Sequence, residues 1–496
     1  MGFIISIDQG TTGTTSLLID SKSYKLLDKV NQEFPQIYPS PGWVEHNLDE
    51  IWETVKNTIN ELISKNNIDP KSIDCIGITN QRETTCAFDS SGNPLANAIV
   101  WQDRRTSSFC DHLKSKNLEG TIKEKTGLTL DPYFSGTKMN WLLENNDNVK
   151  KANKENNLKF GTIDTFLLFK LTHGASFRTE PSNASRTLLM DLEKTTWDSS
   201  LLEVFGIKES FLPEICDSFF NFGETNGLDF LPDGIPITGI LGDQQAALFG
   251  QAGINEGDIK CTYGTGAFML LNTGSKIHYS NNGLLSTVAY RKNNKTQYAL
   301  EGSCYIAGAA VQWLRDNLKI IQNSPDIEGL AKKITDLKEM EHLLFLPFFT
   351  GIGSPYWKAE AKGAIIGLTR DTNESHLARA CLDGIAFSIN DLIKAMKEDT
   401  HIDLKELKVD GGAVTNELLL EIQATVSELN IIRPKIIETT AYGAALAAGI
   451  GNKTIEIENI HDLWKQESVH KENENQKGFY EKKKKAWDEK IKKLFL

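Results

Sequence analysis

Two periods of apolar spacing alternate along the chain. Residues 3–7 and 15–19 are short apolar runs on either side of Asp8-Gln9-Gly10-Thr11-Thr12-Gly13-Thr14, the pattern of two strands joined by a turn. From residue 48 to 63 the period lengthens, and Ile51, Trp52, Val55, Ile59, Leu62 and Ile63 fall on one helical stripe, with Asn47 or Asp49 as its cap. Apolar runs return at 73–78 and 237–241. At 259–271 a second pair of apolar arms flanks Thr262-Tyr263-Gly264-Thr265-Gly266, about 250 residues after the first hairpin. Strand and helix patterns in alternation predict an α/β architecture. The repeated hairpin predicts two related domains, residues 1–250 and 251–496, facing each other across a cleft. Two Lys/Asn/Glu-rich stretches, 144–157 and 465–485, read as solvated helix or loop. The basic run 482–485, followed by Trp487, Ile491 and Leu494, reads as an amphipathic helix packed on its domain or, alternatively, lying on a membrane surface.

Length and composition narrow the function classes. A chain of 496 residues with 40% hydrophobic and 24% charged residues has the make-up of a water-soluble protein of two or three domains. A formal net charge of -12 argues against non-specific binding to nucleic acid or to anionic membrane. A polyanionic ligand would therefore need local donors or a metal ion. The seven cysteines are scattered and lack metal-ligand spacing, which predicts neither a disulfide framework nor structural zinc and fits a reducing cytoplasm. No apolar run is long enough to span a membrane, so no membrane insertion is expected. Met1-Gly2 with Ser6 formally matches a myristoylation signal, but residues 3–7 read as a core strand.

Candidate chemistry gathers at the predicted strand ends, where open α/β folds bind ligands. Ile78-Thr79-Asn80-Gln81-Arg82-Glu83-Thr84-Thr85 sets a cation beside an anion directly after an apolar run. That pair suits a pocket for a hydroxyl-rich small molecule, with Arg donating and Glu accepting; a surface ion pair is the competing reading. Asp8 precedes a Gly/Thr turn whose backbone and hydroxyls can approach phosphate, and an Asp in that place can hold Mg²⁺ through water. Gly264-Thr265-Gly266 forms a second such turn and Asp410-Gly411-Gly412 a third, where bare glycines let a flat base lie against backbone. No Gly-Lys dipeptide occurs, which excludes a Walker-type phosphate loop. Asp243, just past the run 237–241, can accept a proton from a substrate hydroxyl or cap the Ala-rich helix that follows.

These pieces resemble the FGGY carbohydrate kinases of the actin/Hsp70-like ATPase superfamily, in particular the members that phosphorylate glycerol. The resemblance runs through Asp8-Gln9-Gly10-Thr11-Thr12, Pro41-Gly42-Trp43-Val44-Glu45-His46, residues 77–85, Ala98-Ile99-Val100-Trp101-Gln102 and 131–138. It continues through Asn183-Ala184-Ser185-Arg186-Thr187, 242–250, 263–266, 363–383 and 409–414. It implies two actin-like (ribonuclease H-like) domains flanking a deep catalytic cleft, with the first domain binding polyol and the second adenosine. The implied reaction is Mg²⁺-dependent transfer of the γ-phosphoryl group of ATP to glycerol, giving sn-glycerol 3-phosphate and ADP. By the same resemblance Arg82, Glu83, Tyr133, Asp243 and Gln244 bind glycerol hydroxyls, while Trp101 and Phe268 pack on its carbons. Asp243 serves as base, and Asp8 with Asp243 holds Mg²⁺. Thr11, Thr12, Gly13, Thr15, Thr265, Gly308, Gln312, Gly411, Gly412 and Asn416 surround ATP. A homo-oligomer, dimer or tetramer, is implied as well.

Three departures from the family pattern stand out. Thr15 occupies a position where family members commonly carry Arg against nucleotide phosphate. Residues 227–234 put acid where an allosteric sugar bisphosphate would want base, and no His lies between 174 and 277 to serve as a phosphorylation switch. The competing functions are a kinase for a larger polyol or ketose and a non-kinase actin-like ATPase. The polyol shell of Arg82, Glu83, Tyr133 and Asp243 weighs against the second.

Overall fold

The computed structural model describes residues 2–496 and contains two large sheets built on one plan. The first comprises β1 (Phe3–Gln9), β2 (Gly13–Asp20), β3 (Leu26–Glu33), β4 (Ile73–Asn80), β5 (Phe219–Glu224) and β6 (Pro236–Gly242), in the order β3-β2-β1-β4-β6-β5. The second comprises β7 (Ile259–Tyr263), β8 (Ala267–Gly274), β9 (Leu285–Lys292), β10 (Lys295–Cys304), β11 (Glu406–Asp410), β12 (Asn430–Pro434) and β13 (Gln466–His470). Its order is β9-β10-β8-β7-β11-β12-β13. Leaving out β9, the two match strand for strand. In each, three antiparallel strands lead into two parallel pairings and end on an antiparallel edge. The hairpin repeat seen in the sequence is thus the visible part of a duplicated sheet.

Local sequence explains the elements. The central strands β1, β4 and β6 are buried almost throughout and read as near-continuous apolar runs, as parallel strands covered on both faces should. Helix α1 (Leu48–Lys65) begins at Asn47, whose side chain accepts from the amides of Asp49 and Glu50. Asp49 therefore lies in the first turn, where its charge favours the helix dipole. Helix α2 (Asp243–Gly250) follows β6 directly and helix α5 (Thr439–Gly451) follows β12, so the duplication extends to the helices. Between them in sequence lie α3 (Glu374–Thr400) and α4 (Glu417–Ser427), and α6 (Glu474–Phe495) closes the chain.

Glycine lets the two halves meet backbone to backbone. A Cβ on Gly443 would fall 1.9 Å from the carbonyl oxygen of Ala246, and one on Gly239 would fall 2.3 Å from the amide of Ala448. Helix α5, from the second half of the chain, therefore seats directly against α2 and the first sheet. The two halves are held together there by contacts that no side chain could share.

One of the two polar stretches turns out otherwise than read, while 144–157 is solvated helix and turn as expected. Residues 465–485 contain β13, an edge strand paired to β12, before α6 begins. Within the basic run, Lys483 is buried with Nζ 2.6 Å from Asp383 Oδ2, and Lys484 Nζ lies 2.7 Å from Asp391 Oδ1. Trp487 and Ile491 are buried and Leu494 is half exposed, so the helix packs on its domain and two of its lysines face inward, away from any membrane. The stretch 144–157 ends one helix (Ser135–Asn145) and holds another (Asp147–Lys154), with Val149 and Ala152 buried. Met1 of the myristoylation match lies outside the described residues, and Ser6 is buried in β1. All seven cysteines are free and buried. Among the described residues no helix is long and apolar enough to cross a membrane.

Candidate active site

Strand β4 ends at Asn80 and delivers Arg82 and Glu83 into the space between the sheets. Both are buried, and Glu83 adopts φ +59°, a left-handed conformation that costs a residue with a side chain about 1–3 kcal/mol. Three side-chain donors hold it there: Ser135 Oγ, Lys138 Nζ and Thr85 Oγ1 donate to the Glu83 carbonyl at 3.0, 3.1 and 3.2 Å. Lys138 also donates to the Tyr133 carbonyl at 2.6 Å. Burial pushes its amine down to about 7.

The charges form an alternating chain. Arg82 Nε lies 3.0 Å from Asp243 Oδ1, and Arg82 Nη1 is paired with Glu301 Oε2. Glu301 Oε1 accepts from Arg186 Nη2 at 2.7 Å, and Arg186 Nε donates to Glu83 Oε1 at 2.6 Å. Five charged groups alternate in sign from Asp243 to Glu83. Burial opposes the charge of Glu301, but Arg186 and Arg82 outweigh it and hold the carboxyl below its ordinary range. At Glu83 burial prevails over the same two cations and raises the carboxyl. Glu83 uses one oxygen on Arg186 and keeps the other free of protein donors.

Asp243 is the first residue of α2, which is capped by Gly242, so the helix-cap reading of Asp243 does not hold. Its Oδ1 accepts from the Gln244 amide at 2.7 Å, leaving Oδ2 without a protein donor. The carboxamide oxygen of Gln244 accepts from Lys260 Nζ at 2.5 Å, which leaves its N–H groups free of protein acceptors. Trp101 stands edge-on to Tyr133 and to Phe268, with ring centroids 5.7 and 6.0 Å apart, and the three rings make an aromatic wall beside the charges. Burial, reinforced by Glu83, keeps the Tyr133 phenol protonated far above its usual range.

The phosphate-loop candidates occupy equivalent turns of the two sheets. Gly10 N donates to Gly13 O at 2.9 Å and Gly264 N to Gly266 O at 2.8 Å. Trp101 Nε1 donates to Thr11 Oγ1 at 2.9 Å, tying the aromatic wall to the first loop. Thr12 is exposed at the loop tip. Thr15 faces Asp8 across the β1–β2 ladder and its hydroxyl accepts from Asn31 at 2.8 Å. Thr265, Gly308, Gln312, Gly412 and Asn416 line one cavity of about 380 Å³, whose apolar walls include Ile385 and Leu419. Gly411 supports it from below at φ +91°, where a Cβ would fall 2.5 Å from the Tyr263 carbonyl oxygen. Asn416 caps α4, accepting from the Leu419 amide at 2.9 Å.

Asp8 is half-buried. Burial first, then the negative charges of Asp243 and Glu438, push its carboxyl up to about 8. Two carboxylates that resist sharing charge favour an incoming cation. Among the described residues no cluster of three or more ligating side chains occurs, so further oxygens on such a cation must come from ligand or water.

Sequence reasoning missed Glu301 and gave no role to Arg186 or Lys138. Glu301 did leave a trace: it is a lone acid between Leu300 and Gly302 in an otherwise buried part of β10. Arg186 and Lys138 lie in quoted motifs, but nothing in their spacing reveals what they bind.

Comparisons with known proteins agree with this geometry. The model of the FGGY family of carbohydrate kinases, N-terminal domain, matches residues 3–250, and the C-terminal domain model matches 259–451. Glycerol kinase of Bdellovibrio bacteriovorus is 49% identical over 466 residues, covering 93% of each chain. The crystal structure of Plasmodium falciparum glycerol kinase with ADP superposes with a TM-score of 0.91 at 36% identity, covering 100% of this chain and 99% of that one. A ligand-bound xylulose kinase from Lactobacillus acidophilus shares the fold at 23% identity and a TM-score of 0.88, covering 100% of this chain and 98% of that one. The duplicated sheets, the paired Gly/Thr turns and these matches place the chain in the FGGY family of carbohydrate kinases.

Proposed function

We infer that this chain phosphorylates glycerol with ATP, giving sn-glycerol 3-phosphate and ADP. The observation that carries the reading is the alternating chain Asp243–Arg82–Glu301–Arg186–Glu83 beside the wall of Trp101, Tyr133 and Phe268. Fixed donors and a free Glu83 oxygen suit a small molecule with several hydroxyls, and the rings suit its short carbon backbone. Glycerol kinases supply the close relatives, and the Plasmodium enzyme holds ADP.

In this reading the first half of the chain, to residue 250, supplies most of the polyol's contacts, and the second half adds Phe268 and Glu301 to them and binds adenosine in the 380 Å³ cavity. The Gly10–Gly13 and Gly264–Gly266 turns face the phosphates from either side. Asp243 Oδ2 takes the proton of the glycerol hydroxyl as its oxygen bonds to the γ-phosphorus, while the bond from that phosphorus to the β,γ-bridging oxygen breaks. Arg82 holds Asp243 in place. Asp8 and Asp243 would hold Mg²⁺, which supplies charge neutralisation on the phosphates when bound. Seven buried free cysteines accord with a cytoplasmic enzyme. Self-association into a dimer or tetramer belongs to the same reading, and sedimentation would test it.

The test is ADP release with Mg-ATP across a panel of polyols and ketoses. Saturable stimulation by glycerol above all others is expected. Stimulation by a larger sugar, or turnover indifferent to every polyol, would overturn the substrate assignment.

A further inference from the structure

The polyol cradle is not built by the first half of the chain alone. Arg82, Glu83, Tyr133, Arg186 and Asp243 come from it, but Glu301 and Phe268 come from the second sheet. In the β8–β10 ladder Phe268 pairs with Ser303 and Leu270 with Glu301, so Phe268 and Glu301 lie on the same sheet face, two residues apart along the strands. One face of the second sheet thus brings both an aromatic wall and a carboxylate to the site.

We propose that Glu301 is the positioning residue of the cradle, setting the guanidinium groups of Arg82 and Arg186 at once and thereby fixing which hydroxyls of the polyol are recognised. This rests on the glycerol-phosphorylating reading above. Both oxygens of Glu301 are engaged, Oε2 with Arg82 and Oε1 with Arg186, so neither is left to touch substrate. Arg82 and Arg186 are themselves fully buried, and a buried guanidinium that loses its acceptor is costly and free to turn elsewhere. Arg186 Nη1 already lacks a protein acceptor, so its remaining contacts with Glu301 and Glu83 decide where it points. Gln at 301 cannot replace Glu: its amide would present N–H to one of the two guanidiniums and lose that contact. Asp keeps the charge with a shorter reach.

The experiment compares wild type with Glu301→Gln and Glu301→Asp. Glycerol affinity is measured calorimetrically without nucleotide, KM for glycerol and for ATP by ADP release, and selectivity with propane-1,3-diol, which lacks the central hydroxyl. In Glu301→Gln glycerol affinity should fall about tenfold or more, with KM for ATP within about twofold of wild type. The preference for glycerol over propane-1,3-diol should shrink by a similar factor, because a misdirected guanidinium no longer penalises the missing hydroxyl. Glu301→Asp should lie between Gln and wild type, and it carries the test alone if the Gln variant does not fold. A lower melting temperature and kcat with glycerol affinity and selectivity unchanged would make Glu301 a structural strut and overturn the proposal. Wild-type protein whose ATP turnover ignores glycerol would instead defeat the substrate reading.

Discussion

Arg82 Nε stands 3.0 Å from Asp243 Oδ1, while Asp243 Oδ2 has no protein donor. One oxygen of the carboxylate is thereby anchored, by Arg82 and by the Gln244 amide, and the other is left to receive a proton. Asp243→Asn keeps the shape and the anchor oxygen but cannot act as base. It should lower kcat by about 10²–10⁴-fold while ADP binding, measured by calorimetry, stays near the wild-type value. Near-normal turnover would remove Asp243 from the base role.

What the sequence showed and hid follows from distance and periodicity. Arg82 and Glu83 stood out because opposite charges sit adjacent at the end of an apolar run. Their partners did not, because Arg82 and Glu301 are 219 residues apart and Glu83 and Arg186 are 103 apart. No local period links such positions; only the folded ladder brings them together. The duplicated sheets were legible from one hairpin pair, since the Gly/Thr turns recur with apolar arms. Strand β13 was not, because Gln466–His470 pairs on one side only and carries no apolar alternation. Lys483 was hidden by its neighbours: in a run of four lysines only the helical phase, one turn before Trp487, tells which one turns inward.

Lys138 links the cradle to pH. Its amine is lowered from 10.5 to about 7 by burial, so between those values the unfolded chain binds a proton that the folded chain does not. The contribution of Lys138 to stability therefore rises with pH through that window and is smallest below 7. The melting temperature of wild type minus that of Lys138→Met should widen from pH 7 to pH 9; a constant difference would refute the assignment. Losing one of the three side-chain donors to the Glu83 carbonyl should also raise KM for glycerol about tenfold.

Asp8 should show the opposite sign. Its carboxyl is raised from 3.8 to about 8, so between those values the folded chain holds a proton that the unfolded chain has lost. The stability it contributes is full below pH 3.8 and fades as pH rises towards 8. Asp8→Asn, which carries no charge to bury, should melt higher than wild type near pH 8, with the gain vanishing by about pH 4. The same variant should need more Mg²⁺ for half-maximal turnover. A variant that melts lower near pH 8 and keeps its Mg²⁺ requirement would show that Asp8 is neither strained by burial nor poised for a cation.

Gly308 lies in the lining of the nucleotide cavity and lets that side of the site be disturbed by itself. Its amide donates to the Gly264 carbonyl at 3.0 Å, and a Cβ there would fall 2.6 Å from that same oxygen. The methyl of Gly308→Ala must push the turn Gly264-Thr265-Gly266 away from the helix Gly308–Asp316 that supports it. The turn sits at the cavity wall, whereas Arg82, Glu83 and Arg186 lie on the other half of the chain. KM for ATP should therefore rise about tenfold or more, since phosphate positioning tolerates little displacement. Glycerol affinity measured without nucleotide should stay within about twofold of wild type, because no contact of the Glu83–Arg186–Glu301 chain passes through Gly308. Equal losses for both ligands would mean that the nucleotide cavity and the polyol cradle are one mechanical unit, and their independence would have to be given up.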